Sequence, residues 1–293
     1  MVRTADKEQT GIESLRAAST LVSSKRRSLF VCIGLLAVLC SCLDYFAPLN
    51  NNRVLYSDVI ALTSAGLAFT VSLQIIHRQK LNGTFPRLFG FLGFGLGLWF
   101  IAEAIWDYFE LVAGINTPFP SIADAVWLAG YIPFFGFVFG MAKSFPGSPK
   151  MYRDSLIMLG VALAVIAYPI MSIFQQSDLH STDGLIKFIV SSLYPISDVF
   201  LLVPTAMMFI RLRTGAFTFT PWAYLVLAVM LFVVGDIGFA LFSANGGMDD
   251  MLWIWDPLYQ VGYLAIACSL IWHETFFTVN AKKILKAWQK ANR

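Results

Sequence analysis

Eight stretches of this chain are apolar over about the 20 residues that a helix needs to cross the hydrocarbon core of a bilayer. They run over residues 29–47, 56–76, 89–113, 122–142, 155–175, 187–210, 220–243 and 253–275. In lipid every backbone polar group needs a partner within the protein, so open strands are excluded and the spans must be helices. Composition agrees: 57% of the 293 residues are hydrophobic and 13% are charged. Mean hydropathy is +0.68. A soluble domain carries about 25% charged residues, so too little polar surface remains to cover a water-soluble particle. The expected fold class is therefore an all-α polytopic membrane protein with eight transmembrane helices, embedded in a lipid bilayer.

The connections carry turn residues: Asn50-Asn51-Asn52, Asn116-Thr117-Pro118, Pro146-Gly147 and Asn245-Gly246-Gly247. Neither a linker nor a low-complexity tract interrupts the bundle. Basic residues set the orientation, because cytoplasmic loops carry the excess of Lys and Arg. With both termini inside, 19 of the 21 basic residues fall on the cytoplasmic side, leaving Arg53 and Lys187 outside. An even helix count and this charge bias agree, which places the chain in the cell membrane with both termini cytoplasmic. The charges are distributed as a topology signal, so the net charge of +3 argues for no nucleic-acid partner. Lys25-Arg26-Arg27 before an apolar run also has the outline of a signal peptide. The long arm ahead of it and the lack of an A-x-A site favour a retained first span.

The chain contains an internal echo. Asp124-Ala125-Val126-Trp127-Leu128-Ala129-Gly130-Tyr131 and Asp256-Pro257-Leu258-Tyr259-Gln260-Val261-Gly262-Tyr263 both read D-x-x-(W/Y)-x-x-G-Y, and each opens an even-numbered span. The span before each carries an acid at matching depth, Glu103 and Asp236. Ser57-Asp58-Val59 and Ser197-Asp198-Val199 give a third, less regular echo. The expected organisation is a basic cytoplasmic arm over 1–28, a four-helix repeat over 29–143, a second over 154–275, and a basic tail over 276–293. Four helices per unit require both copies to share one orientation, as in the parallel repeats of several transporter architectures. Duplication and fusion of a bundle would give the same pattern with no transport implied.

Ionisable residues inside a membrane are costly and point to function. Here they are all acidic: Asp44, Asp58, Glu103, Asp107, Glu110, Asp124, Asp198, Asp236 and Asp256. Glu103, Asp107 and Glu110 share one helix face by their i, i+4, i+7 spacing. So do Asp124, Trp127 and Tyr131, and likewise Asp256, Tyr259 and Tyr263. Arg53, Lys187 and His180 are the basic groups near enough in depth to pair with some of these acids. Trp99, Trp106, Tyr108, Trp253 and Trp255 add donors and ring faces for a cation. The candidate ligand-binding set is Glu103, Asp107, Asp124, Trp127, Tyr131, Asp198, Asp236, Asp256, Tyr259 and Tyr263, and its ligand is a small cationic or lipid-like molecule. Against this stand ordinary structural roles. Asp44, Asp58, Asp124 and Asp256 lie near span ends, where a carboxylate caps a helix, and Ser121 with Asp124 fits a capping box. The aromatics fit an interfacial belt.

No metal and no cofactor are expected. His77 and His273 lie on one side of the membrane and His180 on the other, so they cannot share a zinc site. Cys32, Cys40, Cys42 and Cys268 fall in apolar runs without ligand spacing. H-E-x-x-H, G-x-S-x-G, P-loop and G-x-G-x-x-G motifs are absent. Gly90, Gly93, Gly95 and Gly97, with Gly136 and Gly140, read as close helix packing.

The segment from Pro118 to Tyr131 (Pro118-Phe119-Pro120-Ser121-Ile122-Ala123-Asp124-Ala125-Val126-Trp127-Leu128-Ala129-Gly130-Tyr131) resembles a stretch in the multi-helix N-terminal membrane regions of bacterial and archaeal signalling proteins, among them diguanylate cyclases and sensor histidine kinases. The resemblance implies a membrane-embedded sensory module. Those proteins carry a cytoplasmic output domain, whereas this chain ends about 18 residues after the last predicted span. A signal would then pass to a separate cytoplasmic or membrane partner. Gly235-Asp236 with Asp256 and Tyr259 is loosely similar to eight-helix lysoplasmalogenase-type hydrolases. Three functions follow as expectations: a ligand-sensing or regulatory module with an outward-facing acidic and aromatic pocket, which is preferred; a small transporter coupled to protons or cations; and an intramembrane hydrolase acting on a lipid-like substrate.

Overall fold

A computed structural model describes residues 53–81, 83–115, 117–145, 148–212, 216–244 and 248–274, with scattered positions between 28 and 46. The first predicted span, 29–47, is described only at those scattered positions, each of them helical. The arm before it, Asp44 and the tail 276–293 lie outside the described residues. Seven long helices follow: α1 (Arg53–Gln79), α2 (Thr84–Asp107), α3 (Ile122–Ser144), α4 (Pro149–Gln176), α5 (Thr182–Leu212), α6 (Ala216–Ala244) and α7 (Met248–Glu274). Helix α2 runs on into a π-helical turn, Tyr108–Val112. All seven are long and apolar enough to cross a membrane. Among the described residues there is no strand. The architecture is that of a multi-pass helical membrane protein.

Every predicted span from the second onward meets a helix, and several helices begin earlier than hydropathy places them. The second span was expected from 56 and its helix starts at Arg53; the eighth was expected from 253 and its helix starts at Met248. Hydropathy marks the apolar slab, whereas backbone hydrogen bonding carries the helix into polar flanks. This corrects the capping expectation for two acids. Asp58 and Asp256 lie more than a turn inside α1 and α7, where no orphan N–H groups remain to be capped. Asp124 does close a capping box: its carboxylate accepts from the Ser121 backbone N–H at 2.6 Å, while the Ser121 hydroxyl accepts from Ala123 N–H at 3.1 Å.

The most extensive helix contacts are α6 with α7 and α2 with α3. Helix α1 packs on both α2 and α7, and α5 packs on α6, α4 and α3. Lipid tails offer no hydrophobic drive between helices, so close approach rests on small residues. A methyl group at Gly95 would sit 2.4 Å from the Phe134 ring, and one at Gly140 would sit 2.2 Å from Leu88. The glycine rows are therefore packing surfaces. Trp99 is the hub of the core, with its ring 4.7 Å from Phe134, 4.8 Å from Phe232, 5.5 Å from Tyr131 and 5.9 Å from Tyr263. Helix α4 is peripheral and leaves Leu156, Val165 and Tyr168 exposed.

The two ends of the bundle differ in charge. At one end Arg78 of α1 forms an ion pair with Glu274 of α7. There too Arg211 of α5 donates to the carbonyls of Ala142, at 3.0 Å, and Phe145, closing the C-terminal end of α3. The carboxylates gather toward the other end.

Candidate functional site

Helices α1, α3 and α7 begin, and α2 and α6 finish, at the acidic end, so their carboxylates converge there. Asp198 enters from the middle of α5. Asp198 is 1% exposed, Asp124 4%, Asp58 and Asp107 7%, and Glu103 8%. Asp236, Asp256 and Glu110 are half-buried. Buried carboxylates are ordinarily paired with a base. The ion pairs Arg78–Glu274, Arg153–Asp154 and Lys187–Asp183 lie elsewhere, and among the described residues no base pairs with Asp58, Glu103, Asp107, Glu110, Asp124, Asp198 or Asp236. The expected pairing with Lys187 is thus corrected: its ammonium is 2.7 Å from Asp183, one turn earlier on α5, a shorter reach than any acid in the bundle. His180 instead donates its backbone N–H to Asp178, 3.2 Å away. The Arg53 side chain lies outside what is described.

Hydroxyl groups take the place of bases. Tyr131 donates to Asp198 at 2.7 Å, with Asp236 within 3.4 Å of the same oxygen. Tyr259 donates to Asp236 at 2.8 Å, Tyr194 to Asp124 at 2.9 Å, Tyr263 to Glu103 at 2.6 Å, and Ser57 to Asp256 at 2.8 Å. The Trp127 indole stands beside Glu103. Helical spacing makes this possible, since positions i, i+3 and i+7 line one stripe and place the acid, the aromatic and the tyrosine of each motif copy along one face. Behind that face Trp99 Nε1 donates to the Trp127 carbonyl at 2.9 Å, fixing α2 against α3.

Asp198 and Asp236 also lie within hydrogen-bonding range of each other. Two carboxylate oxygens are both acceptors, so this contact is a hydrogen bond only when a proton lies between them. The second Asp198 oxygen, Oδ2, meets no donor among the described residues. Asp198 also lines a cavity of about 40 Å³, whose other walls include Leu92, Trp99, Phe134, Thr205 and Phe232.

A second group of acids lies between α1, α2 and α7. Asp58 faces the charges of Glu110, Asp107, Asp256 and Glu103. Both oxygens of Asp107 and Oδ2 of Asp58 find no donor among the described residues. Asp107 is followed by the π-turn that carries Glu110. No three His, Cys, Asp or Glu side chains among the described residues are set to hold a metal ion.

All ten residues expected at the site converge on these two groups or on the bonds that serve them. Three others were missed. Tyr194 lies one turn before Asp198 on α5, and that i, i+4 spacing was the available signal. Ser57 was noted only as part of an echo, and its hydroxyl holds Asp256. Gln260, fully buried, donates to the Ser57 carbonyl and hydroxyl at 3.3 Å; its position inside the motif was the only hint. Compared with known proteins, the chain matches no family model, no curated protein and no solved structure.

Proposed function

We propose that this chain is a membrane-embedded ligand-responsive module, in which a proton or a small cation at the buried carboxyls sets how tightly two halves of the bundle are joined. The observation that carries it is the Asp198–Asp236 contact: two carboxyls in mutual reach that share the Tyr131 hydroxyl, with tyrosine donors and, among the described residues, no base beside them. Such a pair needs one positive charge to hold together. A proton supplies it in one state and a cationic ligand in another. An occupant that binds one arrangement better than another shifts the population between them.

The two halves are read as parallel four-helix repeats, with the acidic end outward and both termini cytoplasmic. The contacts support this position by position. Asp124 and Asp256 each accept from a hydroxyl of the opposite half, Tyr194 and Ser57. Tyr259 donates to the acid of its own half, Asp236, and Trp127 stands beside the acid of its own, Glu103. Tyr131 and Tyr263 each reach across to the other half's acid. Gly130 and Gly262 each leave room for one aromatic, Trp99 and Phe232. The Asp and the final Tyr of each motif copy thus reach the opposite half, and the Gly of each leaves room for an aromatic of its own half. The resemblance of Pro118–Tyr131 to membrane input regions is consistent with such a module signalling to a separate partner.

The test is thermal stability of the purified protein in detergent, scanned over pH against cations, amines and lipids, for wild type and Glu103→Gln/Asp236→Asn. The reading expects a cation that stabilises wild type and leaves the double variant unmoved. If no cation shifts wild type, or both proteins shift alike, the reading is wrong. A second reading, a cation- or proton-coupled transporter, draws on the parallel repeat and the cavity reached from Asp198. It predicts flux in tight proteoliposomes that follows an imposed cation or pH gradient, and absence of flux excludes it.

A further inference from the structure

The cavity beside Asp198 has an unusual combination of walls. Asp198, 1% exposed and with one carboxyl oxygen that no described residue serves, is among the residues that line it. Otherwise the walls are hydrocarbon and aromatic: Leu92, Trp99, Phe134, Leu201, Val229 and Phe232. Thr205 contributes the one other polar side chain, and its hydroxyl donates to the Leu201 carbonyl at 2.6 Å. A buried water needs two to four polar partners, and cavities without them stay dry and take up apolar groups. Water is therefore poorly matched to most of this space. A bare metal ion is matched no better, since hard cations want a shell of oxygens, and the oxygens end at Asp198, Asp236 and their tyrosines.

We propose that the Asp198–Asp236 pair and this cavity form one binding site for a small primary amine with a short apolar tail, its ammonium on the two carboxyls and its tail between Trp99, Phe134 and Phe232. The inference deepens the cation reading above and rests on it. An ammonium carries three N–H donors and no acceptor. One can be given to the unserved Asp198 oxygen and another to Asp236, replacing the shared proton without disturbing Tyr131 or Tyr259. The tail then fills space that a hydrated inorganic ion would leave empty. A volume of about 40 Å³ limits that tail to a few carbons. Helices α2, α3, α5 and α6 all contribute walls, so occupancy ties together the helices whose carboxyl–tyrosine bonds bridge the halves.

The experiment is a thermal-shift series on the full chain in detergent, with sodium, methylammonium, ethylammonium, butylammonium and tetramethylammonium chlorides at equal ionic strength. The expected result is an affinity that rises about fourfold for each methylene buried and stops rising once the cavity is full. Sodium and tetramethylammonium should be much weaker. Asp198→Asn should abolish the response. Val229→Phe, which fills the cavity, should keep methylammonium binding and lose the dependence on chain length; Thr205→Leu makes the same test should Val229→Phe fail to fold. Equal affinity for methylammonium and butylammonium in wild type overturns the tail site while leaving the cation reading in place. A wild type that no cation shifts overturns both.

Discussion

The two copies of D-x-x-(W/Y)-x-x-G-Y place similar residues at similar depths, yet the acid groups they serve are differently provided for. Around α3, α5 and α6, Asp124, Asp198 and Asp236 each receive a tyrosine hydroxyl, and two of the three carboxyls touch. Around α1, α2 and α7, Glu103 and Asp256 have donors, but among the described residues none serves either oxygen of Asp107 or, as with Asp198, Oδ2 of Asp58. One group is served by tyrosine hydroxyls on all three acids; the other leaves the buried Asp107 with no donor among the described residues. Two similar motifs can serve their acids differently on one kind of scaffold, because a carboxylate's environment depends on one or two neighbouring hydroxyls.

The comparison can be broken most forcefully at the motif glycines. A methyl group on Gly130 would sit 2.5 Å from the Trp99 ring, whereas one on Gly262 would sit 2.9 Å from Phe232. Gly130→Ala should therefore cost about 3 kcal/mol of stability, at the upper end for overpacking, and Gly262→Ala distinctly less, measured by unfolding in mixed micelles. The reverse order would mean that the two glycines do not do the same job. Next in size are the crossing tyrosines. Tyr131→Phe and Tyr263→Phe should each cost about 1–2 kcal/mol, the range for hydrogen bonds to charged groups tempered by membrane measurements. A double-mutant cycle of Tyr263→Phe with Glu103→Gln should show coupling of similar size, and additivity would remove that bridge. Asp107→Asn should act with the opposite sign. It relieves a buried charge that lacks a donor, so the variant should be more stable than wild type by about 1 kcal/mol in cation-free detergent. The smallest effect belongs to Ser57→Ala, about 0.6 kcal/mol, because Asp256 is only half-buried and water can replace the hydroxyl.

Much of this was legible in the residues. The apolar spans, the shared face of each motif and the common depth of the acids follow from hydropathy and helical periodicity alone. The partner of each acid did not follow. Tyr194 reaches Asp124, and Tyr263 reaches Glu103, across helix pairs distant in sequence, and helix order in a bundle is not written in the hydropathy profile. The capping role assigned to Asp58 and Asp256 failed for a related reason: hydropathy gives the thickness of the apolar slab but not where a helix starts. Asp124 escaped that error because Ser121 supplied an independent cap signal. Lys187 illustrates a third limit, since a local i, i+4 partner outcompeted every acid in the bundle.

The central claim is that the Asp198–Asp236 pair holds one positive charge, either a proton or a cation. The direct measurement is proton release when methylammonium is added to the purified protein in weakly buffered detergent, with wild type and Asp198→Asn side by side. Displacement of the shared proton predicts about one proton released per cation bound, and an apparent affinity that rises about tenfold per pH unit while the exchange is one for one. Asp198→Asn should release none. Binding that stabilises wild type without proton release, or equal release from both proteins, would contradict the account.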